Sequence, residues 1–151
     1  MPEARLYFAY GSNLDRAQMV RRCPTARPRE PAVLRDYRLT FRARSGRHGV
    51  ADIEPWSGGA VPGGLWDVFP ADLKALDIYE GVPYLYRRET VTVETAMGAT
   101  EALVYVMQPG HGYAAPHPRY LEVIQRGYRD WGLDPTPLRE AVRRVGGPAV
   151  G

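Results

Sequence analysis

The sequence predicts an α+β fold: a mixed, mostly antiparallel β-structure with helices at its flanks. Three observations predict it. Strand-sized apolar or alternating runs, such as Tyr37–Phe41 and Tyr86–Glu94, follow one another through Gly- and Pro-rich turns. One internal helix is bracketed by Pro70 at its start and Gly81 just past its end. Two further helical stretches, Arg119–Trp131 and Pro135–Val145, close the chain, split by Gly132 and Asp134-Pro135. Strands that succeed each other through turns fit an antiparallel or mixed sheet, open or closed as a small barrel, better than a regular βαβ series.

Taken in order, residues 5–10 form an apolar strand that stops at Gly11-Ser12-Asn13. Gly11 lacks a Cβ, so its backbone can lie close to a bound group. Asn13 is a good N-cap for the helical pattern that follows, with Asp15 in its first turn, where the dipole favours negative charge. Cys23-Pro24 ends that helix, and Pro24 to Pro31 reads as a connection. Ala32–Leu34 and Tyr37–Phe41 read as separate extended pieces, Ser45–Gly49 as a turn, and Val50–Glu54 as a strand. Pro55–Gly59 is a further turn. Val61–Val68 follows as a strand broken by Pro62-Gly63-Gly64, which predicts a bulge or an edge position. After the helix at 70–80 come strands at 86–94 and 102–107, with a turn at Met97-Gly98, then a loop over 108–118. One domain over 1–145 with a flexible tail at 146–151 accounts for the whole pattern.

A chain of 151 residues with 44% hydrophobic and 25% charged residues has the composition of a globular domain with a proper core. No apolar run approaches the eighteen or so residues of a membrane span, and no signal peptide precedes the first strand; the expected location is cytoplasmic. A single cysteine, Cys23, excludes an internal disulfide and a cysteine-built zinc site. The net charge is +3, and Lys74 is the only lysine among 20 basic residues. Its arginines are scattered among 17 acids rather than clustered, which argues against a nucleic-acid partner.

Glu80 is the most informative residue. Leu73 and Leu76 lie three apart on the helix and Glu80 four further on, which puts a carboxylate on the core-facing stripe. Burial and the negative helix end would both raise its pKa, as a proton shuttle requires. A helix that frays early would instead point it into water, and the spacing admits both. The Gly11-Ser12-Asn13 turn is likewise either a plain connection or, with free amides at a helix start, a seat for a carboxylate. Tyr7, Tyr10, Tyr79, Tyr84, Tyr86 and Tyr105 are candidates for aromatic walls. His48, His111 and His117 lack metal-ligand spacing, Cys23 has no local base, and Ser12 is not in a GxSxG turn. No metal or cofactor is expected.

These residues resemble a known family. Tyr7-Phe8-Ala9-Tyr10-Gly11-Ser12-Asn13-Leu14 is similar to the N-terminal YGSN motif of the gamma-glutamylcyclotransferases. Leu34-x-Asp36-Tyr37-x-Leu39-x-Phe41, Gly63-x-Leu65-Trp66-x-Val68, Leu76-Asp77-x-x-Glu80-Gly81, Pro118-Arg119-Tyr120 and Trp131-Gly132-Leu133 follow in the family's order. The resemblance implies a small mixed barrel with flanking helices. It implies Glu80 as proton acceptor and donor, and the segment Tyr7, Phe8, Ala9, Tyr10, Gly11, Ser12 and Asn13 as pocket lining, with Tyr120 touching substrate. Tyr86 joins that set as a wall residue. The implied reaction cyclises a small gamma-glutamyl substrate to 5-oxoproline and a free amine, in a monomer or homodimer. The bridge from Gly81 to Tyr86, which shapes the pocket mouth, is where this chain departs from the pattern. A non-catalytic relative that keeps the pocket for binding a small molecule or a partner is the alternative.

Overall fold

The computed structural model describes residues 3–44 and 48–150. Five strands, β1 (Arg5–Ala9), β2 (Arg27–Ala43), β3 (Gly49–Val68), β4 (Tyr86–Thr95) and β5 (Gly98–Met107), close into a barrel in the order β1-β3-β2-β4-β5. Every pairing is antiparallel except the parallel seam of β1 with β5. Four helices flank it: α1 (Arg16–Arg22), α2 (Pro70–Glu80), α3 (Pro118–Trp131) and α4 (Thr136–Arg144). The α+β barrel expected from the sequence is the observed architecture. Among the described residues, no helix is long and apolar enough to cross a membrane. The expected turn at Ser45–Gly49 falls largely outside the described residues.

Two strands are much longer than their sequence signals. The supposed connection before Pro31 belongs to β2, because a register shift at Pro28/Glu30 lets prolines sit in the ladder. Ala32–Leu34 and Tyr37–Phe41 are one strand, joined through Asp36 at φ 62°. Opposite Asp36, residues 56–59 bulge outward between Ala60 and Pro55, and the Gly58 N–H donates to the Asp36 carboxylate at 3.0 Å. The turn expected at Pro55–Gly59 is therefore a bulge within a continuous β3.

Pro62-Gly63-Gly64 was expected to break its strand or mark an edge; it does neither. β3 lies between β1 and β2, and these residues pair in register with Val33, Ala32 and Pro31. The glycines are there for close approach. A Cβ on Gly64 would stand 2.6 Å from the Trp131 ring, and one on Gly63 would stand 2.3 Å from the Ala9 carbonyl. The Trp131 ring of α3 lies over that bare backbone, 5.5 Å from the Trp66 ring and edge-on to it.

Helix α2 has the boundaries its Pro70 and Gly81 predict. Gly81 takes the left-handed conformation, φ 68°, and the following Val82 N–H returns to the Asp77 carbonyl at 2.9 Å. At the other end, the Asp72 carboxylate accepts from the Phe69 N–H at 2.9 Å and from Thr25 Oγ1 at 2.7 Å. Leu73 and Leu76 are buried, whereas Ile78 on the opposite face is 80% exposed. Asp77 then fastens the helix end to the barrel: Arg88 of β4 donates twice to it, at 2.8 and 2.6 Å, and Tyr105 of β5 donates once, at 2.8 Å.

Gly64→Ala should destabilise the fold by about 1–3 kcal/mol, the usual cost of overfilling a packed site. Gly112→Ala, where an added Cβ meets open space, should stay within about 0.5 kcal/mol of the parent. Urea midpoints for the two variants check the difference.

Candidate active site

β1 delivers its C-terminal end to one side of a cavity of about 120 Å³, and the last turn of α2 delivers Glu80 to it. Tyr7, Tyr10, Gly11, Ser12 and Asn13 line the cavity from the first segment, and Tyr79, Tyr86, Tyr105 and Tyr120 from elsewhere. Phe8 and Ala9 do not line it, contrary to the expectation for the whole 7–13 segment. Phe8 is fully buried beside Gly63 on the other face of the strand, and Ala9 is held in the ladder opposite Gly64. Tyr84 is also outside: the turn after Gly81 carries it to 88% exposure, and Leu85 takes a place in the wall.

The turn at residues 11–14 differs from the expected helix start. Ser12–Leu14 form a single 3-10 turn, with Leu14 N–H on Gly11 O at 3.0 Å and Asp15 N–H on Ser12 O at 3.1 Å. That extra turn moves the cap along the chain. Asp15, not Asn13, caps α1, accepting the Ala17 N–H at 3.1 Å, and Arg126 of α3 pairs with it at 3.1 Å. Two indoles hold the turn in place: Trp66 Nε1 donates to Asn13 O at 3.1 Å, and Trp131 Nε1 donates to Leu14 O at 2.8 Å. Gly127 lets α3 come this close, since a Cβ there would lie 2.4 Å from that of Leu14. The amides of Gly11, Ser12 and Asn13 have no backbone acceptor among the described residues.

Freed from capping, the Asn13 side chain is buried at the centre of the site. Its Nδ2 donates to Tyr7 Oη at 2.9 Å and to Glu80 Oε1 at 3.3 Å, while its Oδ1 accepts from Arg22. The Arg22 guanidinium also lies over the Tyr79 ring, 3.4 Å from its centroid. Burial pushes the Glu80 carboxyl up to about 7, and Arg22 and Arg44 hold it from rising further. Glu80 thus exchanges its proton in the neutral range. Its desolvation, not the helix end, is the leading cause.

The tyrosines are mostly committed to protein groups. Tyr10 donates to the Tyr105 carbonyl at 2.6 Å, Tyr86 to the Ala51 carbonyl at 2.5 Å, and Tyr105 to Asp77. Tyr120 Oη accepts the Ala51 N–H at 2.9 Å, and Ser12 Oγ lies 3.2 Å from Tyr79 Oη. Burial raises the phenols of Tyr7, Tyr10, Tyr86 and Tyr120, so they remain protonated hydrogen-bond donors.

The remaining candidates lie elsewhere. Cys23 is buried with its thiol raised to about 11, chiefly by desolvation, and is no nucleophile. His117 caps α3 by accepting the Arg119 N–H at 3.1 Å, His48 rests edge-on against its ring, and His111 Nδ1 meets the Ala43 carbonyl. Among the described residues, no group of three or more His, Cys, Asp or Glu is placed to hold a metal. Sequence reasoning missed Arg44, Val50, Ala51 and Leu85 in the wall, and Arg22 behind it, donating to Asn13. An arginine in the last turn of α1 has an ordinary explanation in the helix dipole, and nothing local marks it as a neighbour of Glu80.

Fold and pocket define a closed-barrel protein with a small, tyrosine-lined cavity and a near-neutral carboxyl in its wall. The sequence profile of the family described as gamma-glutamyl cyclotransferase, AIG2-like, matches residues 7–131, and the chain belongs to that family. The bovine gamma-glutamylcyclotransferase is 33% identical over 138 residues, covering 87% of this chain and 73% of the relative. The human gamma-glutamylcyclotransferase is 31% identical over 150 residues, covering 95% and 79%. A solved gamma-glutamyl cyclotransferase structure superposes with a TM-score of 0.84 at 30% identity, covering 97% of this chain and 90% of that one. The family expected from the Tyr10–Leu14 and Leu76–Gly81 motifs is the one found.

Because the folded carboxyl titrates at about 7 rather than 4.5, ionising Glu80 opposes folding. Its contribution is fully present below pH 4.5 and is lost as pH rises through 7, a swing on the order of 3 kcal/mol. Glu80→Gln should therefore be more stable than the parent at pH 8, by about 1–3 kcal/mol, with the gap closing below pH 4.5. Urea unfolding at the two pH values reads this directly; a variant weaker than the parent at pH 8 would contradict a buried charge.

Proposed function

We propose that this protein is a gamma-glutamyl cyclotransferase that converts a γ-glutamyl amino acid or amine into 5-oxoproline and the free amine, with Glu80 as proton shuttle. The observation that carries this reading is the position of a near-neutral carboxyl in the wall of a small, tyrosine-lined cavity. The Glu80 carboxylate takes a proton from the substrate's α-ammonium. The freed amine attacks the γ-carbonyl carbon of the same glutamyl group, forming the C–N bond of a five-membered ring. The tetrahedral carbon then expels the original amide nitrogen, which receives the proton back from Glu80, and the ring nitrogen gives up its second proton to that departing amine, which leaves as its ammonium ion. No water or redox partner is consumed, so atoms balance within the substrate.

A single acid suffices because the nucleophile is tethered: well-oriented intramolecular attack removes up to ~7–11 kcal/mol of barrier. A pKa of about 7 suits both halves of the task, since the group is deprotonated often enough to accept and acidic enough to return the proton. Asn13 orients one Glu80 oxygen. The open amides of Gly11, Ser12 and Asn13 are the donors for the substrate's α-carboxylate or the developing oxyanion. Tyr7, whose oxygen already accepts from Asn13, keeps its hydroxyl hydrogen for the same purpose. Tyr10, Tyr86 and Tyr120 bound the space that fixes the ring-closing conformer.

Incubation with a panel of γ-glutamyl amino acids and amines should release 5-oxoproline, and Glu80→Gln should lose roughly 10²–10⁴ in kcat. No product from any member, or full activity in Glu80→Gln, would sink the proposal. Ligand binding without turnover would instead mark a relative that keeps only the pocket.

The acid limb of kcat/KM should centre near pH 7, where Glu80 loses its proton. Arg22 holds that pKa down, so Arg22→Gln should move the limb to higher pH; an unmoved or lowered limb would remove Glu80 as the titrating base.

A further inference from the structure

The cavity volume of about 120 Å³ lies well below the ~300–1,000 Å³ of pockets that enclose whole drug-sized ligands. It has room for a glutamyl group but not for what is attached to it. With the reacting γ-carbonyl near Glu80, the departing amine must lie toward the opening. What stands there sets which amines are accepted.

Arg44 stands there. It follows the last residue of β2, is exposed, and still contributes to the cavity wall. Its charge reaches Glu80. The second nearby cation is engaged: Arg22 donates to Asn13 and is stacked on Tyr79. Arg44 has no carboxylate partner among the described residues, and its only described hydrogen bond is from its backbone N–H to the His48 carbonyl at 3.3 Å. An unpaired guanidinium presents a planar fork that matches a carboxylate through two parallel hydrogen bonds.

We propose that Arg44, at the pocket rim, binds the carboxylate of the departing amino acid and so selects γ-glutamyl amino acids over γ-glutamyl amides of uncharged amines. The assignment rests on the cyclisation reading above, and it makes Arg44 a specificity residue that never touches the reacting atoms. Open amides at Gly11–Asn13 remain for the α-carboxylate, which every γ-glutamyl substrate carries. The rim cation therefore discriminates among leaving groups.

The test is a matched pair, γ-glutamyl-L-alanine and γ-glutamylethylamide, which differ only by the leaving group's carboxylate. The ratio of their kcat/KM values is taken on the pH plateau, so that Glu80 titration drops out. Arg44→Gln should lower that ratio about tenfold through KM for the alanine compound, in line with one charge-assisted contact at an accessible site. Arg44→Lys should restore part of the preference, and Arg44→Glu should invert it. An unchanged ratio, or equal losses on both substrates, would overturn the assignment; equal losses would place Arg44 on the shared α-carboxylate instead.

Should the parent turn over neither compound, the wider panel decides the cyclisation reading, and calorimetric binding of the same pair decides Arg44 alone. Tighter binding of the alanine compound to the parent, lost in Arg44→Gln, supports it. Equal binding of the two, or binding of neither, overturns it.

Discussion

The site depends on two indole N–H groups. Trp66, from the barrel wall, and Trp131, from α3, each donate to a carbonyl of the Asn13-Leu14 turn. A 3-10 turn of three residues has too few internal bonds to hold its own shape against solvent. Buried donors on rigid rings supply what it lacks, and an unmade bond at either indole would leave a buried polar group at a cost of about 1–3 kcal/mol. Once the turn is fixed, the Asn13 amide has one place to go, between Tyr7, Arg22 and Glu80. The bare backbone at Gly64 and Gly127 serves the same end by letting α3 settle close enough for Trp131 to reach Leu14.

Around that turn the protein holds a carboxyl in conditions that disfavour its charge. Asp77, three residues earlier on the same helix, shows the contrast. Burial pushes Asp77 up as well, but hydrogen bonds from Arg88 and Tyr105 outweigh it and hold this carboxyl below its ordinary value. Glu80 receives one long hydrogen bond from a neutral amide, and two cations that only moderate its rise. Of these two acids, Asp77 anchors the helix end to β4 and β5, and that anchor makes the position of Glu80 firm. The closed barrel and its clamps hold this unfavourable group in place.

Several of these features were legible in the sequence, for local reasons. The limits of α2 follow from Pro70 and Gly81, whose effects act within one helical turn; the spacing to Leu73 and Leu76 allowed an inward Glu80, and the unfrayed last turn of the helix decides it. The lengths of β2 and β3 were not legible, because a partner strand, not composition, decides where a ladder ends. Pro28 and Pro31 look like a connection until the register shift accommodates them, and Gly63-Gly64 looks like a break until Trp131 covers it. Asn13 has the chemistry of a cap and the geometry of a side chain turned inward; one additional tight turn separates the two. Phe8 and Ala9 sit inside a motif whose neighbours line the pocket, and only the pleat shows which of them face it. Arg22 and Arg44 reach Glu80 across 58 and 36 residues of sequence, a distance that no periodicity spans.

The parallel seam has a consequence for how the barrel moves. β1 is zipped to β3 over five residue pairs, but meets β5 in register only at Tyr7 and Leu103. Side chains complete the closure: Tyr10 donates across to the Tyr105 carbonyl, and the Tyr7 and Tyr105 rings meet edge to face at 5.6 Å. Those rings are also cavity walls. Three tyrosines, Tyr7, Tyr10 and Tyr105, thus serve both the stitching of the cylinder and part of the lining of its cavity, and any fluctuation that parts the seam opens the cavity from the side. In such a protein, slow amide exchange along β1 and a well-formed pocket are one property measured twice.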